Sequence, residues 1–316
     1  MDVIVNEQVT QNKKDNSRIT ISISQVAPLI GFDNYGNFPR IVCEIWRKYN
    51  PNEFREFELR LKEEGNNLAN ASEFNDFWEV DELLGTNILE QVRNINSDKD
   101  KTSSQMLKSQ ASISEYIQKQ TGLTSEQKES LIVKICSATN KSHGVCNEDA
   151  ILSEFARLSG LKLHGTQGWV EIPLFPYKIE ESEPGNKWMV IGKYDAITTT
   201  GELVEAKMRQ RGLFKKMRDY ENVQVQLYLH ALGYKTGFLV EGYSGKKNTK
   251  LEIYTHDVAY DADYVNEFIL DRLRKFTEYF KEVMSNDERK NEVLKGNKNE
   301  YTRYQEEYLG VESIDF

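Results

Sequence analysis

Cysteine is scarce in this chain: Cys43, Cys136 and Cys146 are the only three in 316 residues. An odd number without C-x-x-C spacing points to a reducing compartment and excludes an internal Cys₄ cluster. The four histidines (His143, His164, His230, His256) show no H-x-x-x-H or Cys-His spacing, which argues against a zinc site. There is no G-x-x-x-x-G-K-[ST] loop and no G-x-S-x-G motif, so neither an ATP-driven step nor acyl hydrolysis is implied. No apolar run approaches the roughly 18 residues of a membrane span. Met1 to Val5 is acidic and too short in apolar residues for a signal peptide, so the expectation is an intracellular, soluble protein with no membrane partner. Proline is rare and absent after Pro184. The net charge of −9 argues against indiscriminate coating of nucleic acid, while leaving room for a local basic channel between acidic walls. What remains is a globular composition, 39% hydrophobic and 29% charged, in a chain long enough for a full core.

The chemistry concentrates between Trp188 and Leu232. An apolar run ends in Gly192-Lys193-Tyr194-Asp195, Thr199-Thr200-Gly201 reads as a turn, and Leu203-Val204-Glu205-Ala206-Lys207 follows. This predicts a β-hairpin of the two runs. Residues two apart in a strand share a face, so Glu205 and Lys207 project together while Val204 and Ala206 face the core. Asp195 meets them across the turn. Two carboxylates and a lysine at a sheet edge are costly unless they hold something. A hard divalent cation, Mg²⁺ or Mn²⁺, suits them, with Asp195, Glu205 and the Ala206 carbonyl as a partial oxygen shell. Lys207 would then orient a hydroxide or, with a lowered pKa, accept a proton. The competing reading is a surface aspartate beside an ordinary Glu–Lys ion pair.

Between Glu205 and Arg218 six basic residues (Lys207, Arg209, Arg211, Lys215, Lys216, Arg218) stand against one acid, Glu205. That local excess suits a site that grips a polyanion beside a metal. Asn222 to Leu232 alternates strictly enough for a strand, but no breaker interrupts Lys215 to Leu232, and that length predicts a helix.

Gly192-x-x-Asp195-Ala196, then Glu205-Ala206-Lys207, then Gln224-Val225-Gln226-Leu227-Tyr228 resembles the PD-(D/E)XK nuclease superfamily, and the λ-exonuclease/YqaJ branch in particular. The resemblance implies a restriction-endonuclease-like α/β (α+β) core, with a central mixed β-sheet flanked by helices and an N-terminal helical region. It implies Asp195 and Glu205 as metal ligands, Lys207 as the catalytic lysine and Gln224 as the helix glutamine reaching back to the site. Gln224 and Gln226 lie about 200° apart on a helix, so only one can face the metal. Gly192-Lys193-Tyr194 departs from the Pro or Ser that many relatives carry before the aspartate. Glu148 matches the acid of a G-x-x-x-E-x-x-A pattern through Gly144, with the alanine one residue early at Ala150. Lying three and four residues before Ile151 and Leu152, it would point along a buried helix face as a third acid near the metal; otherwise it is a first-turn acid favoured by the helix dipole. Membership also implies 5′→3′ digestion of double-stranded DNA ends in recombination, ring-shaped homo-oligomers and a single-strand-annealing partner. An endonuclease, a nuclease for single strands or RNA, and an inactive DNA-binding protein remain the alternatives.

The rest of the chain divides into a loose N-terminus (1–17), a mainly helical region (18–140), the nuclease core (141–285) and a charged tail or helix (286–316). Arg18 to Tyr35 reads as a short strand, then a helix stopped at Gly31. In relatives the region of the following helix, Arg40 to Lys48, lines the DNA channel, making Arg18, Arg40, Arg47 and Lys48 candidate phosphate contacts. Pro51 to Gln91 reads as two or three helices, the first carrying Phe54, Phe57, Leu59 and Leu61, and their aromatics read as core. Asn94 to Ser104 is a loop. Thr124 and Gln127 have capping-box spacing ahead of a helix to Ile135, and Asn147 and Gly160 bracket another of about three turns. Strands are expected at Trp169–Phe175, Gly237–Tyr243 and Lys250–His256, and a closing helix at Ala262–Met284.

Overall fold

A computed structural model describes residues 18–32, 38–65, 103–175, 187–244 and 250–311. The expected helices within Phe74 to Gln91, and the loop from Asn94 up to residue 102, lie outside the described residues. The architecture is mixed α/β, with two mixed sheets and helices around them. The first sheet has the order β1 (Arg18–Ser22), β4 (Lys187–Lys193), β3 (Trp169–Pro173). The second runs β2 (Leu163–His164), β5 (Ala196–Thr198), β6 (Leu203–Arg209), β7 (Thr236–Tyr243), β8 (Glu252–Ala259).

One bent ribbon joins the two sheets. Trp169 pairs with Lys193 in the first sheet and His164 with Ile197 in the second, so five residue steps on one strand oppose four on the other. The extra residue is a β-bulge, which bends the strand that carries it. The amides of Tyr194 and Gln167 bond across the bend to the carbonyls of Gly168 and Asp195, both at 3.0 Å. The expected hairpin is corrected accordingly. The run ending at Asp195 leaves the first sheet after Lys193, and only Ala196–Thr198 turns back onto β6, pairing Ala196 with Val204 and Ile197 with Leu203. Gly201, at φ +91, makes that turn.

The helices are α1 (Ile23–Leu29), α2 (Phe38–Tyr49), α3 (Pro51–Glu63), α4 (Ser103–Gln118), α5 (Ser125–Ser159) and α6 (Asp219–Leu232), then α7 (Asp271–Met284), α8 (Asp287–Lys295) and α9 (Lys298–Tyr304). Wider π-helical turns precede α7 (Tyr264–Leu270) and follow α9 (Gln305–Leu309). Parallel strands need a crossover, and α6 supplies it between β6 and β7. Val223, Val225, Leu227, Tyr228 and Leu229 are all buried, because α6 lies between the sheet and α1. A helix buried nearly all round has no amphipathic stripe, which is why its sequence alternates like a strand.

Helix α5 corrects two expected boundaries. The capping box of Thr124 and Gln127 opens it and Gly160, at φ +75, closes it, but it runs unbroken for 35 residues. Asn147 is therefore interior and not a cap, and the division at 140/141 falls inside a helix. Its first part packs on α4 around Met106, Ile113, Ile117, Leu123, Leu131 and Ile135. Its last turns pack Ile151, Leu152 and Phe155 against Ala196, Val204, Ala206 and Val240 of the second sheet. The main core gathers α1, α2, α3 and α6 with the C-terminal helices. The segment expected as a charged tail thus places Val293, Leu294 and Tyr304 in the deepest packing. On α3, Phe54 and Phe57 are buried as expected and Leu61 joins them, whereas Leu59 is 49% exposed, being on the opposite face.

Candidate active site

Asp195 sits where the ribbon passes from one sheet to the other, and Glu205 and Lys207 lie on the adjoining strand β6. The Asp195 carboxylate accepts the Ala206 amide at 2.7 Å, which ties the bend to the strand. Glu205 is almost fully buried. Its Oε1 accepts both the Lys207 ammonium (2.7 Å) and the Gln224 side-chain amide (2.8 Å). Its Oε2 is buried with no hydrogen-bond partner. Buried polar atoms are nearly always paired, so an orphaned carboxylate oxygen calls for an explanation.

Helix α6 faces the site through one stripe. Gln224 approaches Glu205 while Tyr228, one turn on, donates to the Lys193 carbonyl at 2.8 Å. Gln226 looks away, donating to the Ala259 carbonyl and accepting the Asp261 amide. Gly192 allows this approach: a Cβ there would lie 2.9 Å from the Tyr228 ring and 2.6 Å from Ile23.

The electrostatics follow from this crowding. Burial, with Asp195 and Glu148 nearby, pushes Glu205 from 4.5 up to about 7 despite the Lys207 charge. Burial also raises Asp195, against Lys207 and the Ala206 amide. Burial alone would lower Lys207, but Glu205 and Asp195 more than offset that and push it up. Lys207 is therefore an ammonium in this arrangement. Burial and the Asp195 charge raise Glu148 as well.

Glu148 stands on α5 at the rim of this group, where the Gln167 side chain donates to it at 3.1 Å. Among the described residues no three acids, histidines or cysteines form a ready-made metal cage. The oxygens that could be offered to a cation are those of Asp195 and the unpartnered Oε2 of Glu205, with Glu148 in electrostatic reach. Hard oxygen donors, few in number and one of them unpartnered, fit an ion that keeps much of its water.

Gln167 was not foreseen. It is one of two non-glycine residues with positive φ among those described (φ +61), and it sits on the bulge opposite Asp195. The signal was Gly165 and Gly168 flanking it, since glycine inside a strand pattern marks a bulge.

The expected phosphate contacts are dispersed. Arg209 is corrected: it is buried, and its guanidinium donates to Glu221 (2.6 Å) and Glu241 (2.8 Å). It binds the protein's own carboxylates, not an outside anion. Arg211, Lys215 and Lys216 are exposed on the segment after β6. On the N-terminal side, Arg18 pairs with Glu171 across the first sheet and Arg40 with Glu44 along α2. Arg47 lies over the Phe54 ring, 4.5 Å from its centroid, and Lys48 is exposed.

No protein-family model and no curated protein matches the sequence. Solved structures with a partial likeness include SSO0001, with 18% identity over 49% of this chain and 66% of that one, at a TM-score of 0.33. The alkaline exonuclease LHK-Exo of Laribacter hongkongensis is similar over 51% of this chain and 85% of its own, with 9% identity and a TM-score of 0.34. Its complex with dAMP matches over 55% and 90%, with 10% identity and the same TM-score. This chain spans just under two thirds of SSO0001. No helix among the described residues is long and apolar enough to cross a membrane.

Proposed function

We propose that the chain is a metal-dependent nuclease that hydrolyses DNA phosphodiesters, acting on double-stranded ends in the 5′→3′ direction. The observation that carries the reading is Glu205, with one oxygen held by Lys207 and Gln224 and the other buried and unpartnered. Mg²⁺ or Mn²⁺ held by Asp195, Glu205 and the Ala206 carbonyl, with Glu148 at the edge, would supply Lewis acidity toward a phosphate and its attacking water. Gln224 fixes the Glu205 carboxylate through Oε1, and the unpartnered Oε2 would be the oxygen left for the ion. Lys207 keeps its proton and turns a positive charge toward the carboxylate pair, where it holds a water nucleophile and steadies the phosphate's developing charge. The Asp195–Ala206 bond stops the two acids from drifting apart. Arg211, Lys215 and Lys216 supply sequence-independent attraction for the strand. End-directed polarity, a ring assembly and a strand-annealing partner extend the proposal from the motif resemblance alone.

The test uses linear duplex labelled at either the 5′ or the 3′ end, beside a closed circle, with and without Mg²⁺. Mononucleotides should leave the 5′ label first, the circle should survive, and Asp195→Asn should do nothing. Cutting of the circle would replace the exonuclease with an endonuclease. Binding without cleavage under any divalent ion would leave an inactive DNA-binding protein.

A further inference from the structure

The segment 210–218, between β6 and α6, has no regular structure, yet it is tied down from within. Glu241 on β7 is fully buried and points both carboxylate oxygens at this segment and its support. Oε2 accepts the backbone amides of Phe214 (2.7 Å) and Lys215 (3.2 Å). Oε1 accepts Arg209 at 2.8 Å, with the His256 ring nitrogen at 3.3 Å. A buried glutamate that binds two consecutive loop amides does what a helix ladder would otherwise do for them. Above it the exposed Phe214 ring sits under two guanidinium groups, Arg209 at 4.3 Å and Arg218 at 4.1 Å from its centroid. Lys215 follows with φ +54, a backbone state unusual for a residue with a side chain. Such strain persists only where the surroundings impose it. Arg211, Lys215 and Lys216, all exposed, have no ion-pair partner among the described residues. The chain has placed a buried anion beneath a loop whose outer face is cationic.

We propose that Glu241 is a positioning residue for nucleic-acid binding: it holds the 210–218 loop in the one backbone shape that presents Arg211, Lys215 and Lys216 together to a phosphate backbone. This rests on the proposed function for the identity of the polyanion. It adds that affinity is set by a carboxylate that never touches the nucleic acid. Negative charge at position 241 therefore promotes binding of a negative ligand, the reverse of what its sign alone predicts. Pre-ordering the loop removes an entropy cost that would otherwise be met on binding.

The experiment measures duplex binding across a salt series in Ca²⁺, and steady-state cleavage in Mg²⁺, for the wild type, Glu241→Gln and Phe214→Ala. Glutamine keeps an acceptor for the loop amides but sets an amide donor against Arg209. Phe214→Ala removes the exposed ring and leaves every buried charge in place, so it reads the loop even if Glu241→Gln folds poorly. The expected result is a salt slope shallower by about one to two units in both variants, with KM raised and kcat within about twofold of wild type. Weakened folding alone would lower the active fraction and leave the slope of the folded remainder unchanged. An unaltered slope in Phe214→Ala, or a fall in kcat at constant KM, would overturn the proposal. Wild-type binding without cleavage would sink the nuclease reading and leave this one standing; no duplex binding by the wild type would sink both.

Discussion

Glu205 meets two demands with two different oxygens, and its behaviour with pH follows. Its folded-state pKa is raised from 4.5 to about 7, so between these values the folded chain binds a proton that the unfolded chain has released. The stability this gives is complete below about 4.5 and is lost as pH rises through about 7. Asp195 is raised as well and works in the same direction. Lys207 is raised too, but its contribution fades only above the ordinary lysine value of 10.5, outside this window. In metal-free protein the melting temperature should therefore fall from pH 5 to pH 7, and Glu205→Gln should flatten that fall. Added Mg²⁺ should raise the melting temperature mainly at the upper end, where the carboxylate is charged. Identical pH profiles for wild type and Glu205→Gln would remove Glu205 as the titrating group. Lys207→Ala should slow cleavage by about 10²–10⁴-fold while leaving Mn²⁺ affinity nearly unchanged, because an ammonium is no ligand. Calorimetric titration showing lost metal binding would assign the lysine a structural role. At this scale the sequence was legible where partners are near in the chain: Asp195, Glu205, Lys207 and Gln224 fall within 30 positions. Gln167 and Glu241 were not, because their roles depend on cross-strand register and on partners brought in by the fold.

Strands β6 and β7 and helix α6 meet at Arg209, which bonds one carboxylate from the helix and one from the neighbouring strand. Removing one member of a buried ionic group leaves the others unpaired in a poor solvent for charge. Arg209→Ala should cost about 3–5 kcal/mol of stability, measured by urea denaturation. Any change in salt slope should be no larger than that of Phe214→Ala, because Arg209 reaches the loop only through Glu241 and the Phe214 ring. A stable Arg209→Ala with weakened DNA binding would restore it as a surface contact. Periodicity alone gave little help here, because β6 is buried on both faces and α6 nearly all round. Length and the absence of breakers identified α6, but they could not reveal that α5 continues through Gly144 and Asn147. Neither residue stops a helix whose two ends are packed elsewhere.

Across the whole molecule the two ends of the described chain depend on each other. Tyr304 is fully buried, stacks on Phe38 at 4.8 Å between ring centroids, and donates its hydroxyl to the Leu29 carbonyl. Arg289 and Glu300 form a buried pair beside it. Ending the chain at Ser285 would expose the aromatic faces of α2 and α7, so that variant should be insoluble or lack a cooperative melt. Tyr304→Ala is the milder probe and should cost roughly 3–5 kcal/mol. A truncated protein that melted cooperatively and cleaved DNA would show the C-terminal helices to be dispensable. The high charge of this segment concealed its role, because part of that charge is buried beside the apolar residues, Arg289 paired with Glu300 and Lys290 with Glu53.

Helix α5, finally, belongs to two separate cores. It is roughly 50 Å of continuous hydrogen bonds, yet among the described residues its first turns share a hydrophobic cluster with α4 and its last turns share one with the second sheet. Cooperative opening follows packing and not backbone continuity. Deuterium should therefore enter the two ends of this one helix at different rates. Amides before about residue 135 should exchange together with those of α4, through a partial opening that leaves Glu148 and the sheet protected. Those between Ile151 and Leu158 should exchange only when the whole molecule unfolds. Glu148 would then keep its place at the rim of the carboxylate group through every excursion of the helix pair at the far end.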